Sequence, residues 1–396
     1  MDYSEAVNYI TSLDRMGSRP GLERIRRLLD FLGNPEKNMK FVHIAGTNGK
    51  GSTTAYTGSI LKESGYKTGV FFSPAIRSYC EYFVVDGEPM PEGRFAEYVE
   101  LFKNEEKYFT KFELTLAIAL KYYSDENCDW CVLETGMGGL LDATNIIPTP
   151  ETVILTPVAL DHMEFLGDTV EAITYQKCGI IKDNCKVASN FQVPEATEYI
   201  KANHPQTAFI EEAEVQFMDL DKTEFRYKGE DYTISLKGKN QVENACTAIT
   251  AMKNLNDSRV TTSSIKEGIR KAHIPYRFDM HLPNLILDGA HNPAGFACLV
   301  ENLKLYFPDS KFDFIIGMLH DKDVENSVKQ IAELANKVYI VEFDCQRALK
   351  AEVLADIMKK YVDNVEIGEF HRLFKNIKEK TVITGSFEHF KEDELK

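Results

Sequence analysis

At 396 residues, 43% hydrophobic and 27% charged, the chain is too long for one ordinary core and predicts a soluble globular protein of two domains. A formal net charge of −15 argues against a nucleic-acid partner, which needs basic surfaces, but leaves small anions to local clusters of Lys and Arg. No apolar run approaches the ~20 residues of a membrane span, and the acidic start "MDYSEAVNYI" does not read as a signal peptide.

"GLERIRRLLDFLGNP" (21–35) predicts an amphipathic helix with Leu22, Ile25, Leu28, Leu29 and Leu32 on one face, stopped by Gly33 and Pro35. "KFVHIAG" then reads as a short buried strand, "KGSTTAYTGSILKESG" as a helix closed by Gly65, and "KTGVFFSP" as a second strand. "FELTLAIALKYYSDE" is helical, while "CDWCVLETG" and "TVILTPVALDH" are strands. This alternation predicts a parallel α/β sheet. Around 205–240 the pattern changes to period two with Lys-Gly turns, which suggests an antiparallel meander appended to that sheet. Helices are expected at about 241–254 and 262–272. "AHIPYRFDM" (272–280) reads as the interdomain link, after which "NLILDGAHNPAG", "FDFIIGMLHDKD", "KVYIVEF" and "KTVITGS" restart the strand–helix alternation. The expected division is residues 1–273, a linker at 274–279, and a smaller doubly wound domain at 280–396, with substrates meeting in the cleft between the two domains. Eight scattered cysteines suit reduced thiols in a cytoplasm. The lone pair Cys128 and Cys131 reads as buried structure within a strand, not as a redox or zinc motif.

"GTNGKGS" (46–52) carries the chemistry, because it lies between a strand and a helix. Gly46, Gly49 and Gly51 free the backbone N–H groups to face a phosphate, and the helix N-terminus adds its dipole. Lys50 can reach the β- and γ-phosphates, and Ser52 or Thr53 a Mg²⁺ ion. Glu134 at the end of one strand, and Asp161 and His162 at the end of another, would converge on the same place in a parallel sheet. Lys177 and Arg277 are cationic candidates. Asp288, His291 and Asn292, after the second domain's first strand, read as a further site.

These motifs together resemble the folylpolyglutamate synthase family, which includes dihydrofolate synthases and belongs to the Mur-type amide ligases. The resemblance covers nearly the whole chain through "RPGLERIRRLLDFLGNP", "HIAGTNGKGST", "SGYKTGVFFSP", "LETGMGG" with "DATNII", "LDHMEFLGDT", "KCGIIK", "LDGAHNP", "GMLHDKD", "RAL" and "VITGS". It implies an N-terminal P-loop ATPase domain with an Ω-like loop and a small antiparallel sheet, and a C-terminal Rossmann-like domain that binds the incoming amino acid. It implies ATP, folate and L-glutamate as substrates, two Mg²⁺ ions with a monovalent cation as a further candidate, and a monomer without nucleic-acid or membrane partners. ATP would phosphorylate the folate carboxylate, and the glutamate amine would attack the acyl phosphate.

By matching position, Thr47, Asn48, Gly49, Lys50, Gly51 and Ser52 would contact ATP, with Asn244, Arg277 and Asp288. Ser52, Ser73, Glu134 and His162 would ligate Mg²⁺, and so would Lys177 once carbamylated. Lys50, Lys177, Asp288 and His291 would serve catalysis, and His291 and Ser386 would hold glutamate. The chain departs from the family at Ala75 and Cys80, although Glu81 of that loop is retained, and at Leu140 and Gln176. Those departures bear on the acceptor, so dihydropteroate or a non-folate acid are the alternatives. A GTPase switch is disfavoured because "NKVY" (336–339) lacks the aspartate of a guanine motif.

Overall fold

Short apolar runs buried on both faces form the centre of a large sheet, as parallel strands covered by helices do. The structure, a computed structural model, describes residues 1–13, 17, 19–105 and 108–391. The first eight strands are β1 (Lys40–Ala45), β2 (Thr68–Phe71), β3 (Val84–Val85), β4 (Glu88–Pro89), β5 (Trp130–Glu134), β6 (Thr152–Leu155), β7 (Lys186–Ser189) and β8 (Ala208–Phe209). They assemble in the order β4-β3-β2-β5-β1-β6-β7-β8. All pairings are parallel except β2–β3 and β3–β4 at one edge. In β1 the register sets Ile44 opposite both Glu134 and Ile154, so β1, β5 and β6 deliver their carboxyl ends to one place.

The Lys111–Asp125 helix covers this sheet and opens with a reciprocal cap: Glu113 N–H donates to Thr110 Oγ1 at 3.2 Å, and Thr110 N–H to Glu113 Oε2 at 2.7 Å. The Glu23–Phe31 helix buries Ile25, Leu28 and Leu29 in the same core, with Leu22 and Leu32 packed against it.

β9 (Glu214–Met218), β10 (Thr223–Tyr227) and β11 (Glu230–Ile234) form a separate sheet in the order β11-β10-β9. The meander is therefore present but is not appended to the large sheet. Its β10–β11 turn has Lys228 at φ 47° and Gly229 at φ 81°, the backbone of a tight hairpin that closes strands on each other.

The last sheet contains β12 (Asp279–Leu282), β13 (Leu285–Leu287), β14 (Phe312–Ile316), β15 (Ala335–Ile340), β16 (Val365–Ile367) and β17 (Thr381–Thr384), in the order β12-β13-β17-β14-β15-β16. Only β12 runs antiparallel. The strand before "DGAHNP" is thus the second of this sheet, not the first; β12 escaped notice because its outer residues His281 and Leu282 are exposed.

The chain forms two compact units: residues 1–214, 225–234 and 242–273, and residues 215–224, 235–241 and 274–396. This differs from a continuous division with a linker at 274–279. Phe278 is buried in the second unit's core and Leu220 packs against that core, so both stretches belong there. Residues 392–396 lie outside the described residues. No described helix is long and apolar enough to cross a membrane.

Candidate active site

The glycine-rich turn leaves β1 and is held by the loop that leaves β6. Thr47 N–H donates to Pro157 O at 2.8 Å and Asn48 N–H to the same oxygen at 3.4 Å. Thr47 Oγ1 donates to Ala159 O and accepts from Ala159 N, each at 3.0 Å. Gly46 allows this closeness: a Cβ there would stand 1.8 Å from Thr156 Oγ1 and 2.8 Å from the Thr156 carbonyl oxygen. Gly49, at φ +83°, opens the Lys50–Glu63 helix, and a Cβ on it would lie 2.5 Å from Asn244 Oδ1. Asn244 thus borders the turn. Gly51 lies in the first turn of that helix without a positive φ. Ser52 and Thr53 are buried in the first helical turn.

Gly46→Ala is expected to weaken ADP binding about tenfold to a hundredfold, the effect of the 1–3 kcal/mol that overpacking a tight site costs. Titration calorimetry on the folded variant checks this, and an unchanged affinity would mean that the turn relaxes freely.

Lys177 lies in the Val170–Cys178 helix and is buried. Its Nζ donates to Gly46 O at 2.7 Å, and Lys50 Nζ donates to the same oxygen at 3.2 Å and to Thr47 O at 3.2 Å. Two amines therefore converge on one carbonyl at the end of β1. Burial, with the Lys50 charge beside it, lowers the Lys177 pKa to about 7 against the opposing pull of Asp161 and Asp142. Near neutral pH a large share of Lys177 is an uncharged, nucleophilic amine.

Glu134 is the last residue of β5; it is buried, and its Oε2 accepts from Ser73 N at 3.2 Å. His162 is not at a strand end. β6 stops at Leu155, and His162 begins the short Met163–Leu166 helix with φ +50°. Its backbone N–H donates to Asp161 Oδ1 at 3.0 Å, and its Nε2 lies 3.9 Å from Asp161 Oδ2. The 136–145 loop packs against the lysine helix: Leu140 N–H donates to Gln176 O at 2.7 Å, and Asn145 Nδ2 donates to Leu140 O at 3.1 Å and Gly179 O at 3.0 Å. Two departures from the family pattern, Leu140 and Gln176, are thus bonded to each other through the backbone.

The sequence reading missed the support beneath this loop. His43 Nε2 and Thr144 Oγ1 are 2.8 Å apart, Thr144 Oγ1 donates to Asp142 Oδ1, and Asp142 Oδ2 accepts from Met137 N at 2.8 Å. Burial drives the His43 pKa down to about 3, so it is neutral, and the Thr144 hydroxyl makes Nε2 its donor. The signal was "DATN", an acid followed two residues later by a hydroxyl, which is a local turn signature.

In the second unit, Arg277 lies between Tyr276 at φ 59° and Phe278 at φ 51°. Bulky residues rarely adopt that backbone, and such strain concentrates at functional sites. Asp288 holds the turn: Oδ2 accepts from Phe278 N and Oδ1 from Ala290 N, both at 2.9 Å. Burial raises its pKa, opposed first by Arg277. His291 Nδ1 pairs with Gly289 O at 2.8 Å. Ser386 is buried after β17, and its Oγ accepts from Glu388 N at 3.1 Å. Asn292 has a structural place, capping the Pro293–Tyr306 helix by accepting from Gly295 N at 2.8 Å.

A family model described as the Mur ligase middle domain matches residues 44–252, and one described as the Mur ligase glutamate ligase domain matches residues 277–382. A dihydrofolate synthase/folylpolyglutamate synthase of Bacillus subtilis is 33% identical over 415 residues, covering 97% of this chain and 96% of the relative. The chain belongs to the folylpolyglutamate synthase/dihydrofolate synthase family. The folylpolyglutamate synthase structure from Thermotoga maritima superposes with a TM-score of 0.84 at 30% identity, covering 98% of this chain and 95% of that one. A folylpolyglutamate synthase complex with AMPPCP and folate gives 0.82 at 28% identity, covering 98% and 97%.

Against the folylpolyglutamate synthase pattern, the loop that carries Ala75 and Cys80 keeps its organising acid. Glu81 Oε2 accepts from Ile76 N at 3.0 Å and Arg77 N at 3.1 Å. Cys80 is buried, and its N–H donates to Ser78 Oγ at 3.2 Å, where Tyr3 OH also bonds at 2.8 Å. Cys128 lies just before β5 and Cys131 within it; both are buried and unpaired, as expected of structural thiols.

Proposed function

We propose that this family member is an ATP-dependent ligase that joins L-glutamate through an amide to the terminal carboxylate of a folate, tetrahydrofolate foremost. The observation that carries the residue-level reading is the pair of lysine amines on the Gly46 carbonyl, at the mouth of a glycine turn that opens a helix. Kinship with folylpolyglutamate synthases supports the substrates, and the AMPPCP and folate in a related complex support ATP as the phosphoryl donor and folate as the carboxylate it activates.

A carboxylate resists attack because its oxygen leaves poorly. Transfer of the γ-phosphoryl group of ATP makes an acyl phosphate and ADP. The uncharged glutamate amine then attacks the acyl carbon, the carbon–oxygen bond to phosphate breaks, the nitrogen loses a proton, and phosphate leaves. In the proposed assignment the turn amides at 47–52, Lys50 and Arg277 offset the charge on the phosphates. Asn244 contacts the nucleotide beside the turn, and Asp288 keeps Arg277 in place through the backbone. His291 and Ser386 receive glutamate. The Ser386 oxygen already accepts from Glu388 N, which leaves its proton to donate to a carboxylate.

Mg²⁺ fits the donors at the larger unit's strand ends. Magnesium takes hard oxygen ligands and draws several of them from phosphate and water. Glu134 supplies a buried carboxylate, and Ser52, Ser73 and His162 would complete its surroundings. Such a site needs no cluster of three acidic or histidine side chains, and none occurs among the described residues. When bound, Mg²⁺ would neutralise phosphate charge. Lys177, as the free amine, adds to CO₂ with loss of a proton to give a carbamate, a further carboxylate for the same purpose. Varying KCl tests a monovalent cation alongside it. All assigned residues come from one chain, so a monomer suffices, and eight cysteines that form no disulfide among the described residues suit the cytoplasm.

A second reading, dihydropteroate as acceptor, is favoured by the joint name of the Bacillus relative and by the Ala75, Cys80, Leu140 and Gln176 departures. Phosphate release from MgATP with L-glutamate, in parallel with tetrahydrofolate, dihydropteroate or no acceptor, tests both when products are weighed by mass spectrometry. Release that needs tetrahydrofolate and glutamate together is expected. Silence with both pterins would overturn the folate reading and direct the search to another acid.

Ser386→Ala is expected to raise the KM for L-glutamate about tenfold, the effect of one hydrogen bond to a charged group, with the KM for ATP little changed. A glutamate KM that does not move removes Ser386 from the site.

A further inference from the structure

We propose that Phe387 is a positioning residue for Arg277, and that the Phe387–Lys391 turn sets where both Arg277 and His291 stand. The inference rests on the reading above only for what the two side chains meet. The Arg277 guanidinium carbon lies 4.7 Å from the centre of the Phe387 ring, within cation–π range. The His291 ring centre is 5.9 Å from the same ring. Gly289 is what admits the phenyl group, since a Cβ there would lie 2.2 Å from it.

The same turn also grips the backbone that carries the arginine. Phe390, buried, stacks on Tyr276 with ring centres 4.3 Å apart and planes 8° from parallel. Gly289 N–H donates to Tyr276 O at 3.0 Å. Tyr276 and Phe278, both in the left-handed region, are thereby held from the Phe390 side and from Asp288. Both Asp288 oxygens are engaged by backbone N–H groups, so that carboxylate fixes the turn while the Phe387 face steers the guanidinium. An arginine so steered loses less rotamer freedom when it meets phosphate.

Phe387 is only half-buried, so its replacement leaves the core intact. ADP binding by titration calorimetry is compared in the full chain, Phe387→Leu, Phe387→Tyr, Arg277→Ala and the Phe387→Leu/Arg277→Ala double variant, with thermal melts of each. Phe387→Leu is expected to weaken ADP binding about five- to tenfold, the effect of losing a cation–π contact, without lowering the melting temperature. Phe387→Tyr keeps the ring and should stay within about twofold of the parent. In the Arg277→Ala background the leucine should change nothing further. Equal loss in both backgrounds, equal loss in the tyrosine variant, or unchanged ADP affinity in Phe387→Leu would each overturn the proposal. The glutamate KM of Phe387→Leu should rise as well, and a fixed value removes His291 from the arrangement. If the parent protein ligates no folate yet ADP binding follows this pattern, the ligase reading fails and the positioning of Arg277 stands.

Discussion

Replacing Lys177 with methionine should end ligation, with a loss of at least about 10³-fold in kcat, the scale seen when a preorganised charged group is removed, and should make the protein more stable near neutral pH. Both effects come from burial. An unfolded lysine keeps its proton up to about 10.4, whereas the folded Lys177 keeps it only up to about 7. Between those values the unfolded chain carries the extra proton, so the native protein gains stability as pH rises through that window. Below about 7 the full penalty remains, on the order of 3–5 kcal/mol. The methionine variant fills the same space without the penalty and should lack that slope. Denaturant unfolding at pH 7 and pH 10, in buffer purged of CO₂, measures the difference. Parallel slopes would show that Lys177 is not a buried amine of depressed pKa, and turnover within about tenfold of the parent would end its catalytic role. Lys177→Ala leaves room for a small acid, so rescue by acetate or propionate would identify a carboxylate as the form the reaction uses.

Lys50→Met should abolish ATP turnover, again by about 10³-fold or more, because a phosphate-facing cation at a helix N-terminus is lost. It should also change Lys177, which shares the Gly46 carbonyl with it. The Lys50 charge is, after burial, the largest influence holding the Lys177 pKa down, so its removal should raise that pKa. Carbamate formation, followed by NMR with ¹³C-bicarbonate, should then need a higher pH than in the parent protein. A carbamate midpoint that does not move would mean that the two amines do not sense each other, and retained ATP turnover would remove Lys50 from the phosphate site.

Much of the larger sheet was legible because its strands are short, apolar and bounded by glycine or proline, and because Lys50 and Glu134 sit at a helix start and a strand end, whereas Asn244, inside the Lys239–Asn254 helix, was named by the family resemblance alone. The loop after β6 was misread as strand because "PVAL" is as apolar as the strand itself. There Pro157 has no N–H, and its carbonyl serves Thr47 and Asn48 instead of a ladder. The β3–β4 hairpin was missed because two-residue strands around Asp86 and Gly87 carry no period. His43 was hidden for a different reason: a histidine inside an apolar run gives no sign of which hydroxyl it meets, and Thr144 is distant in sequence. Phe387 and Phe390 carried no signal in the sequence, since only the fold shows Arg277 and Tyr276 opposite them.

The closeness of Gly46 to Thr156 has a consequence for inheritance. A lesion such as Gly46→Ala invites a compensating change at its neighbour, and the hydroxyl of Thr156 is the obvious target. Trimming Thr156 to glycine would still leave its carbonyl oxygen 2.8 Å from the new methyl group, and that oxygen belongs to the main chain. No substitution at 156 is therefore a suppressor. Revertants selected from a Gly46→Ala strain should restore the glycine codon or alter residues 157–160, whose backbone can shift the loop as a whole.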